Sequence, residues 1–83
     1  MDSDWKVYLL RCGDGSLYTG ISNDVDSRLE AHRAGKGAKY TRGRGPLKLV
    51  YLEKCGSYSD ALKREAQIKK LTKREKEQLI VSK

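Results

Sequence analysis

Arg28 and His32 are the residues whose types and spacing point most directly to chemistry. They lie four positions apart, so on a helix they would share one face, one turn apart. An arginine beside a histidine at the edge of a buried face suits recognition of a phosphate group. The alternative is an arginine stem covering apolar surface next to a hydrogen-bonded structural histidine. The spacing leaves both interpretations open.

Glu65 is a second candidate because of its place on a helix predicted over residues 58–70. At about 100° per residue, it falls near the middle of an apolar stripe. The stripe consists of Tyr58, Ala61, Leu62 and Ile68. A carboxylate in such surroundings costs free energy unless it is paired. It is therefore a metal ligand, a general base, one half of a structural ion pair or a glutamate at the rim of the core.

Two tyrosines flank a turn near the start of the chain. If the turn consists of the three residues 13–15, Tyr8 pairs with Gly20 and Tyr18 points to the same face as Tyr8. Two phenols on one face beside a glycine would form a platform with space for a substrate. If Asp14-Gly15 is instead a two-residue turn, the phenols point to opposite faces.

A basic loop is predicted over residues 35–46, which contain four glycines and the only proline. It lacks the spacing of a phosphate-binding P-loop. Its candidate binding residues are four cations with one aromatic among them: Lys36, Lys39, Tyr40, Arg42 and Arg44. Such a set would contact a nucleic-acid backbone and stack on a base, unless the loop is only a solvated surface.

Six short elements must position these residues. Three segments rich in aliphatic and aromatic residues predict β-strands: residues 5–12, 16–22 and 47–54. Three segments that follow polar caps predict helices: about 24–34, 58–70 and 72–81. Ser22 or Asn23 would cap the first helix. The order β-β-α-β-α-α predicts an α+β fold, a small three-stranded antiparallel sheet flanked by helices.

Length and charge restrict the classes of function. The 83 residues predict one domain spanning 1–83. We expect a cytoplasmic protein, because we find neither a signal peptide nor a membrane-spanning apolar run. The net charge of +7 is concentrated after residue 34. This asymmetry favours phosphate-bearing partners, nucleic acid first, although a solvated basic surface would give the same composition.

Together these residues resemble the GIY-YIG endonuclease superfamily, named after two short motifs in its hairpin. The resemblance runs from about residue 5 to residue 79 and is greatest to the small, stand-alone, uncharacterised bacterial subgroup. Its motif residues are Tyr8, Tyr18-Thr19-Gly20, Arg28, His32 and Glu65. The first motif reads Lys6-Val7-Tyr8 and lacks the family's glycine.

The resemblance implies a metal-dependent endonuclease that hydrolyses phosphodiester bonds in DNA, with a role in DNA repair or recombination. It implies catalytic roles for Tyr8, Tyr18, Arg28 and His32, and substrate contact at Gly20. It also implies one Mg²⁺ or Mn²⁺ ion at Glu65. The resemblance favours Tyr8 as the base, whereas ordinary pKa values favour His32.

Two other functions remain open from the sequence alone. One is a nucleic-acid-binding module on the same fold that does not catalyse turnover. The other is a partner-binding domain whose charge serves only solvation. Mg²⁺-dependent cleavage distinguishes the nuclease from both. Steep salt dependence of nucleic-acid binding distinguishes the binding module from the partner-binding domain.

Overall fold

Three β-strands and three α-helices follow one another in the predicted order β-β-α-β-α-α. The computed structural model describes residues 4–37 and 39–82, so Ala38 of the predicted loop lies outside the described residues. The strands are β1 (Trp5–Arg11), β2 (Leu17–Ser22) and β3 (Lys48–Gly56). The helices are α1 (Val25–Arg33), α2 (Tyr58–Lys69) and α3 (Lys73–Val81), with a 3₁₀ turn at Lys39–Thr41. The predicted α+β fold is confirmed.

The sheet is antiparallel, with strand order β2-β1-β3, so β1 lies in the centre. A three-residue turn joins β1 to β2. Its closing pair is Cys12 and Ser16, whose backbone N–H and C=O are 2.9 Å apart. Gly15 adopts a φ of 85°, which glycine reaches without steric cost.

The odd length of this turn determines which side chains share a face. Tyr8 lies opposite Gly20, and Leu10 lies opposite Tyr18. Because strand side chains alternate between faces, Tyr8 and Tyr18 point to the same side of the sheet. The three-residue turn is therefore confirmed, and the two-residue alternative is wrong.

One face of the sheet packs against α2 and α3. Val7 and Leu9 of β1 form a buried cluster there with Tyr51 of β3 and Ile68 of α2. Partly buried side chains from the second half of the chain complete it, among them Leu71, Leu79 and Ile80. This cluster anchors the two C-terminal helices to the sheet, because burial of apolar surface is the main stabilising term.

The opposite face carries the tyrosines. Tyr8 and Leu10 are buried there with Leu47, and Val25 and Leu29 of α1 pack against them. Helix α1 is therefore held over the face to which both phenols point. Among the described residues, no helix combines the length and the apolar character that a membrane span requires.

Two local predictions need correction. Asp24, not Ser22 or Asn23, caps α1, and its carboxylate accepts a hydrogen bond from the Ser27 N–H. Ser22 is the last residue of β2, and its hydroxyl accepts from the Asp24 N–H instead. A carboxylate is well suited to this position because the helix N-terminus carries partial positive charge.

The apolar stripe of α2 is narrower than predicted. Ala61 and Ile68 are fully buried, but Tyr58 and Leu62 are exposed at 49% and 40%. A three-stranded sheet covers only part of the circumference of a helix, so the outer members of the stripe remain at the surface. Tyr58 instead contacts the ring of Trp5, with centroids 4.7 Å apart.

Candidate active site

The absence of a side chain at Gly20 determines where the Tyr8 ring lies. A Cβ built on Gly20 would be 2.5 Å from the Tyr8 phenol oxygen and 2.6 Å from the adjoining ring carbon. Real Cβ atoms do not approach other atoms so closely. The phenol therefore extends from the central strand across the edge strand β2, which both α1 and α2 contact.

His32 contacts the Tyr8 phenol from α1. Its Nε2 is 2.9 Å from the phenol oxygen, and its Nδ1 is 2.9 Å from Oγ1 of Thr41. Only 2% of His32 and 1% of Tyr8 are exposed, so both rings are almost completely buried. Gly37 lies against the other edge of the imidazole, where a Cβ would overlap the ring.

The environment favours the neutral form of both members of this pair. Burial, with the nearby Tyr18 phenol and Glu65 carboxylate, raises the pKa of Tyr8 to about 12. Arg28 opposes this shift as a hydrogen-bond donor and a positive charge. Burial, followed by the charge of Arg28, lowers the pKa of His32 below its ordinary value. At neutral pH the proton therefore resides on Tyr8, and His32 is uncharged.

Residues from four elements converge here. Tyr8 comes from β1 and Tyr18 from β2, with ring centroids 6.4 Å apart. The Tyr18 ring is also 5.2 Å from that of His32. Arg28 of α1 and Glu65 of α2 both act electrostatically on the Tyr8 phenol. The predicted residues of the hairpin, the first helix and the later helix thus all lie within electrostatic range of the Tyr8 phenol.

Glu65 lies in a partly buried position, with 19% of its side chain exposed. Its Oε2 is 3.4 Å from Nζ of Lys69, one turn along the same helix. The Lys69 side chain is 56% exposed, so this is a surface pair of the kind that contributes at most about 0.5 kcal/mol. The carboxylate therefore has an ion-pair partner but not a buried one.

The donors available for a metal ion are few. Within the part of the chain that the structure describes, no three His, Cys, Asp or Glu side chains cluster to hold one. A site that depends on Glu65 alone excludes the all-protein cages typical of structural zinc or calcium. It fits a hard ion that retains several waters and shares its remaining positions with phosphate oxygens, as Mg²⁺ does.

The basic loop folds back onto the β1–β2 turn. The Arg44 guanidinium is 2.6 Å from the Asp14 carboxylate and lies 4.3 Å from the centre of the Tyr40 ring. The Gly13 N–H donates to the Arg44 carbonyl at 2.5 Å. Tyr40 in turn lies 5.8 Å from the Tyr18 ring, centroid to centroid. These contacts hold the loop beside the Tyr18 ring.

The remaining cations of the loop are oriented differently from Arg44. Lys36, Lys39 and Arg42 are exposed. Among the described residues, none of the three forms an ion pair. Their charges are available to a partner, whereas that of Arg44 is partly neutralised by Asp14. The sequence pattern treated the four cations of the loop as equivalent, whereas the structure separates Arg44 from the other three.

Sequence reasoning missed two residues next to His32, Thr41 and Gly37. Both belong to the basic loop, and neither lies at a spacing that marks helix or strand neighbours. The only available signal was their position in a glycine-rich loop after the helix that carries His32. That position does not indicate that the loop returns to cover the imidazole.

Comparisons with known proteins agree with this architecture. Residues 4–78 match the family model of the GIY-YIG catalytic domain. A UPF0213 protein of Clostridium perfringens is 57% identical over 77 residues, covering 93% of this chain and 83% of that protein. A UPF0213 protein of Cronobacter sakazakii is 54% identical over 77 residues, covering 93% and 81%.

Two solved structures are similar in fold as well as in sequence. The solution NMR structure of UPF0213 protein BH0048 from Bacillus halodurans has 51% identity and a TM-score of 0.62, covering 95% of this chain and 84% of that one. The solution NMR structure of protein EF2693 from E. faecalis has 40% identity and a TM-score of 0.66, covering 99% and 90%. With its hairpin, its helices and the family model all in agreement, this chain belongs to the GIY-YIG family, among relatives that are small UPF0213 proteins.

Proposed function

We propose that this protein is a divalent-metal-dependent endonuclease that hydrolyses phosphodiester bonds in DNA. The observation that carries the proposal is that His32 and Arg28 of α1 and Glu65 of α2 all act on the Tyr8 phenol, which belongs to a third element, β1. A purely structural tyrosine needs one hydrogen-bond partner. It does not need a cation and an anion in addition, both close enough to shift its pKa.

In this proposal Tyr8 is the general base, and His32 acts through it. Both ring nitrogens of His32 face protein groups, the Tyr8 phenol and the Thr41 hydroxyl. The imidazole therefore receives a proton from the phenol and not from the attacking water. The phenol oxygen, once relieved of its proton, accepts the proton of the water.

The positive charge of Arg28 serves two purposes in this scheme. It already lowers the pKa of Tyr8 against the effect of burial. Because burial raises the pKa of Tyr8 to about 12 and lowers the pKa of His32, transfer of the phenol proton to the imidazole is unfavourable in the free protein. Arg28 reduces this gap and would also offset the negative charge that develops on the phosphate oxygens.

Glu65 is the residue that would hold the metal ion. Its partly buried carboxylate and its exposed lysine partner fit an ion that takes one protein ligand and completes its shell with water and phosphate. When bound, the ion supplies Lewis-acid stabilisation of charge on the phosphate and on the leaving oxygen. Glu65 itself would contribute the negative charge that holds such an ion.

A second candidate function is a nucleic-acid-binding module on the same fold. The high pKa of Tyr8, about 12, favours it, because a phenol with that pKa is a proton donor at neutral pH. The exposed cations of the basic loop would serve this function equally well. Binding without cleavage would support this alternative.

Cleavage of a DNA panel tests the proposed function. Labelled duplex, branched and single-stranded DNA would be incubated with Mg²⁺ or Mn²⁺, with and without chelator. We expect metal-dependent cleavage that Arg28→Ala reduces by at least about a hundredfold, because the guanidinium acts mainly in the transition state. Arg33→Ala is the matched control, since Arg33 is an exposed arginine of the same helix that pairs with Glu30.

Three outcomes of this experiment count against the proposal. They are no cleavage of any DNA with either metal, equal cleavage in the presence of chelator, and full activity in Arg28→Ala. Far-UV circular dichroism of each variant separates the loss of a catalytic group from the loss of the fold.

Glu65→Gln tests the metal site, because the substitution preserves size and removes charge. We expect Mg²⁺ affinity and cleavage to be lost together, while the free energy of unfolding changes by no more than about 0.5 kcal/mol. Lys69→Gln breaks the same ion pair and should leave cleavage intact. If Glu65→Gln still cuts DNA but unfolds at a markedly lower temperature, Glu65 is a structural residue.

Neutralising the loop tests its role in binding. Replacing Lys36, Lys39 and Arg42 by glutamine should weaken DNA affinity and reduce the slope of log K against log[salt] by roughly 0.9 for each duplex phosphate that the loop no longer neutralises. Arg44→Gln should change the slope less, because Asp14 already neutralises part of that charge. Slopes that match the wild type in all variants would mean that the loop only solvates the surface.

The buried His32 also predicts how stability depends on pH. Its native pKa is lowered, so below about pH 6.5 the unfolded chain binds a proton that the native protein does not. The free energy of unfolding should therefore fall between about pH 7 and about pH 5, by at most about 1.4 kcal/mol per pH unit. His32 is the only histidine, so urea titrations of His32→Gln should show a smaller dependence; an equal one would contradict the assignment.

A further inference from the structure

Thr41 has a contact that the proposed machinery leaves unexplained. It lies at the end of the 3₁₀ turn in the basic loop and is only 2% exposed. Its hydroxyl oxygen is 2.9 Å from Nδ1 of His32, on the side of the ring away from the Tyr8 phenol. A small polar side chain is thus buried against the one histidine of the chain.

The protons of this arrangement can be assigned. A neutral imidazole carries one N–H, on either Nδ1 or Nε2. The Tyr8 phenol retains its proton at neutral pH and is also a hydrogen-bond acceptor for Arg28. The phenol therefore donates its own proton, and Nε2 of His32 lies 2.9 Å away to accept it. The imidazole proton then belongs on Nδ1, where it faces Thr41.

The groups around His32 agree with a neutral ring. Tyr8 and Tyr18 face it from the sheet, and Arg28 acts on it from its own helix. Arg33 and Arg42 line the cavity of about 140 Å³ that borders His32 and Thr41. The Arg28 charge disfavours a second proton on the imidazole, and the Glu65 carboxylate acts on the Tyr8 phenol instead.

We propose that Thr41 is a positioning residue that selects the tautomer of His32. Its hydroxyl oxygen accepts the Nδ1–H of the imidazole and so leaves Nε2 unprotonated and directed at the Tyr8 phenol. The consequence for catalysis rests on the proposed function, because it assumes that Tyr8 passes its proton to His32. The hydroxyl contributes a hydrogen bond to the neighbouring group, and it does not touch substrate.

The geometry makes the hydroxyl hard to replace. Gly37 lies against the same ring edge so closely that it has no room for a side chain. The position of the loop against the His32 ring is therefore fixed by the backbone at Gly37 as well as by Thr41. Valine at position 41 would fill nearly the same volume and remove only the hydrogen-bonding atom.

The first measurement is the tautomer itself, which does not depend on activity. Imidazole ¹⁵N spectra of the intact protein contain a single histidine, so the protonated nitrogen is assigned directly. We expect the proton on Nδ1 in the wild type and in Thr41→Ser, and a shift of the population towards Nε2 in Thr41→Val. Thr19→Val is the matched control, since Thr19 is a buried threonine whose hydroxyl has no hydrogen-bond partner among the described residues.

The second measurement is cleavage of the DNA that the wild type cuts best. Thr41→Val should reduce kcat by roughly tenfold to a hundredfold with little change in KM, as positioning partners of catalytic groups do. Thr41→Ser should remain within about threefold of the wild type. A packing role would instead lower the melting temperature and leave the tautomer in place.

Each result decides the inference. A wild-type proton on Nε2, or an unchanged tautomer in a folded Thr41→Val, overturns it. If Thr41→Val does not fold, the wild-type and Thr41→Ser spectra still test the assignment. If no variant cleaves DNA but the tautomer shifts as expected, the positioning role stands and the proposed nuclease function is what fails.

Discussion

The Tyr8 phenol occupies the space that any side chain at position 20 would need. The arrangement of the site therefore depends on the absence of a side chain at Gly20. Because Gly20 has no side chain, Tyr8 of the central strand can extend its hydroxyl across the edge strand. There His32 of α1 is within hydrogen-bond distance of the hydroxyl, and Glu65 of α2 acts on it electrostatically. A larger residue would push the ring away and separate these groups.

Burial fixes the geometry of the Tyr8–His32 pair and also disfavours the charged form of each member. A hydrogen bond between two buried rings has a defined geometry, but burial disfavours the ionised form of each group, so the pKa of Tyr8 is raised and that of His32 is lowered. Proton movement between them therefore requires positive charge nearby. The free protein supplies part of it through Arg28, and under the proposed function a cation held by Glu65 would supply more.

Much of this arrangement could be predicted from local patterns. The apolar strands, the glycine-rich turn and the polar caps indicated the element order. The odd turn length, one of two options that the pattern allowed, placed Tyr8 and Tyr18 on one face. Helical spacing alone made Arg28 and His32 neighbours.

What could not be predicted depends on contacts between distant parts of the chain. Thr41 and Gly37 reach His32 only because the loop is tied back to the first turn, through Arg44 and Asp14, thirty residues apart in sequence. No periodicity encodes such a return. The apolar stripe of α2 was predicted too wide for a related reason. The number of its residues that are buried depends on the sheet against which the helix packs, and the helix sequence alone does not show this.

The tie between Arg44 and the first turn has a consequence for the thermodynamics of association. A glycine-rich segment that was free in solution would lose conformational entropy on meeting a partner, and that loss would reduce its affinity. Here the Gly13–Arg44 backbone hydrogen bond and the Asp14–Arg44 ion pair restrict the segment beforehand. The entropy is lost when the protein folds, so the segment is already ordered before any partner arrives.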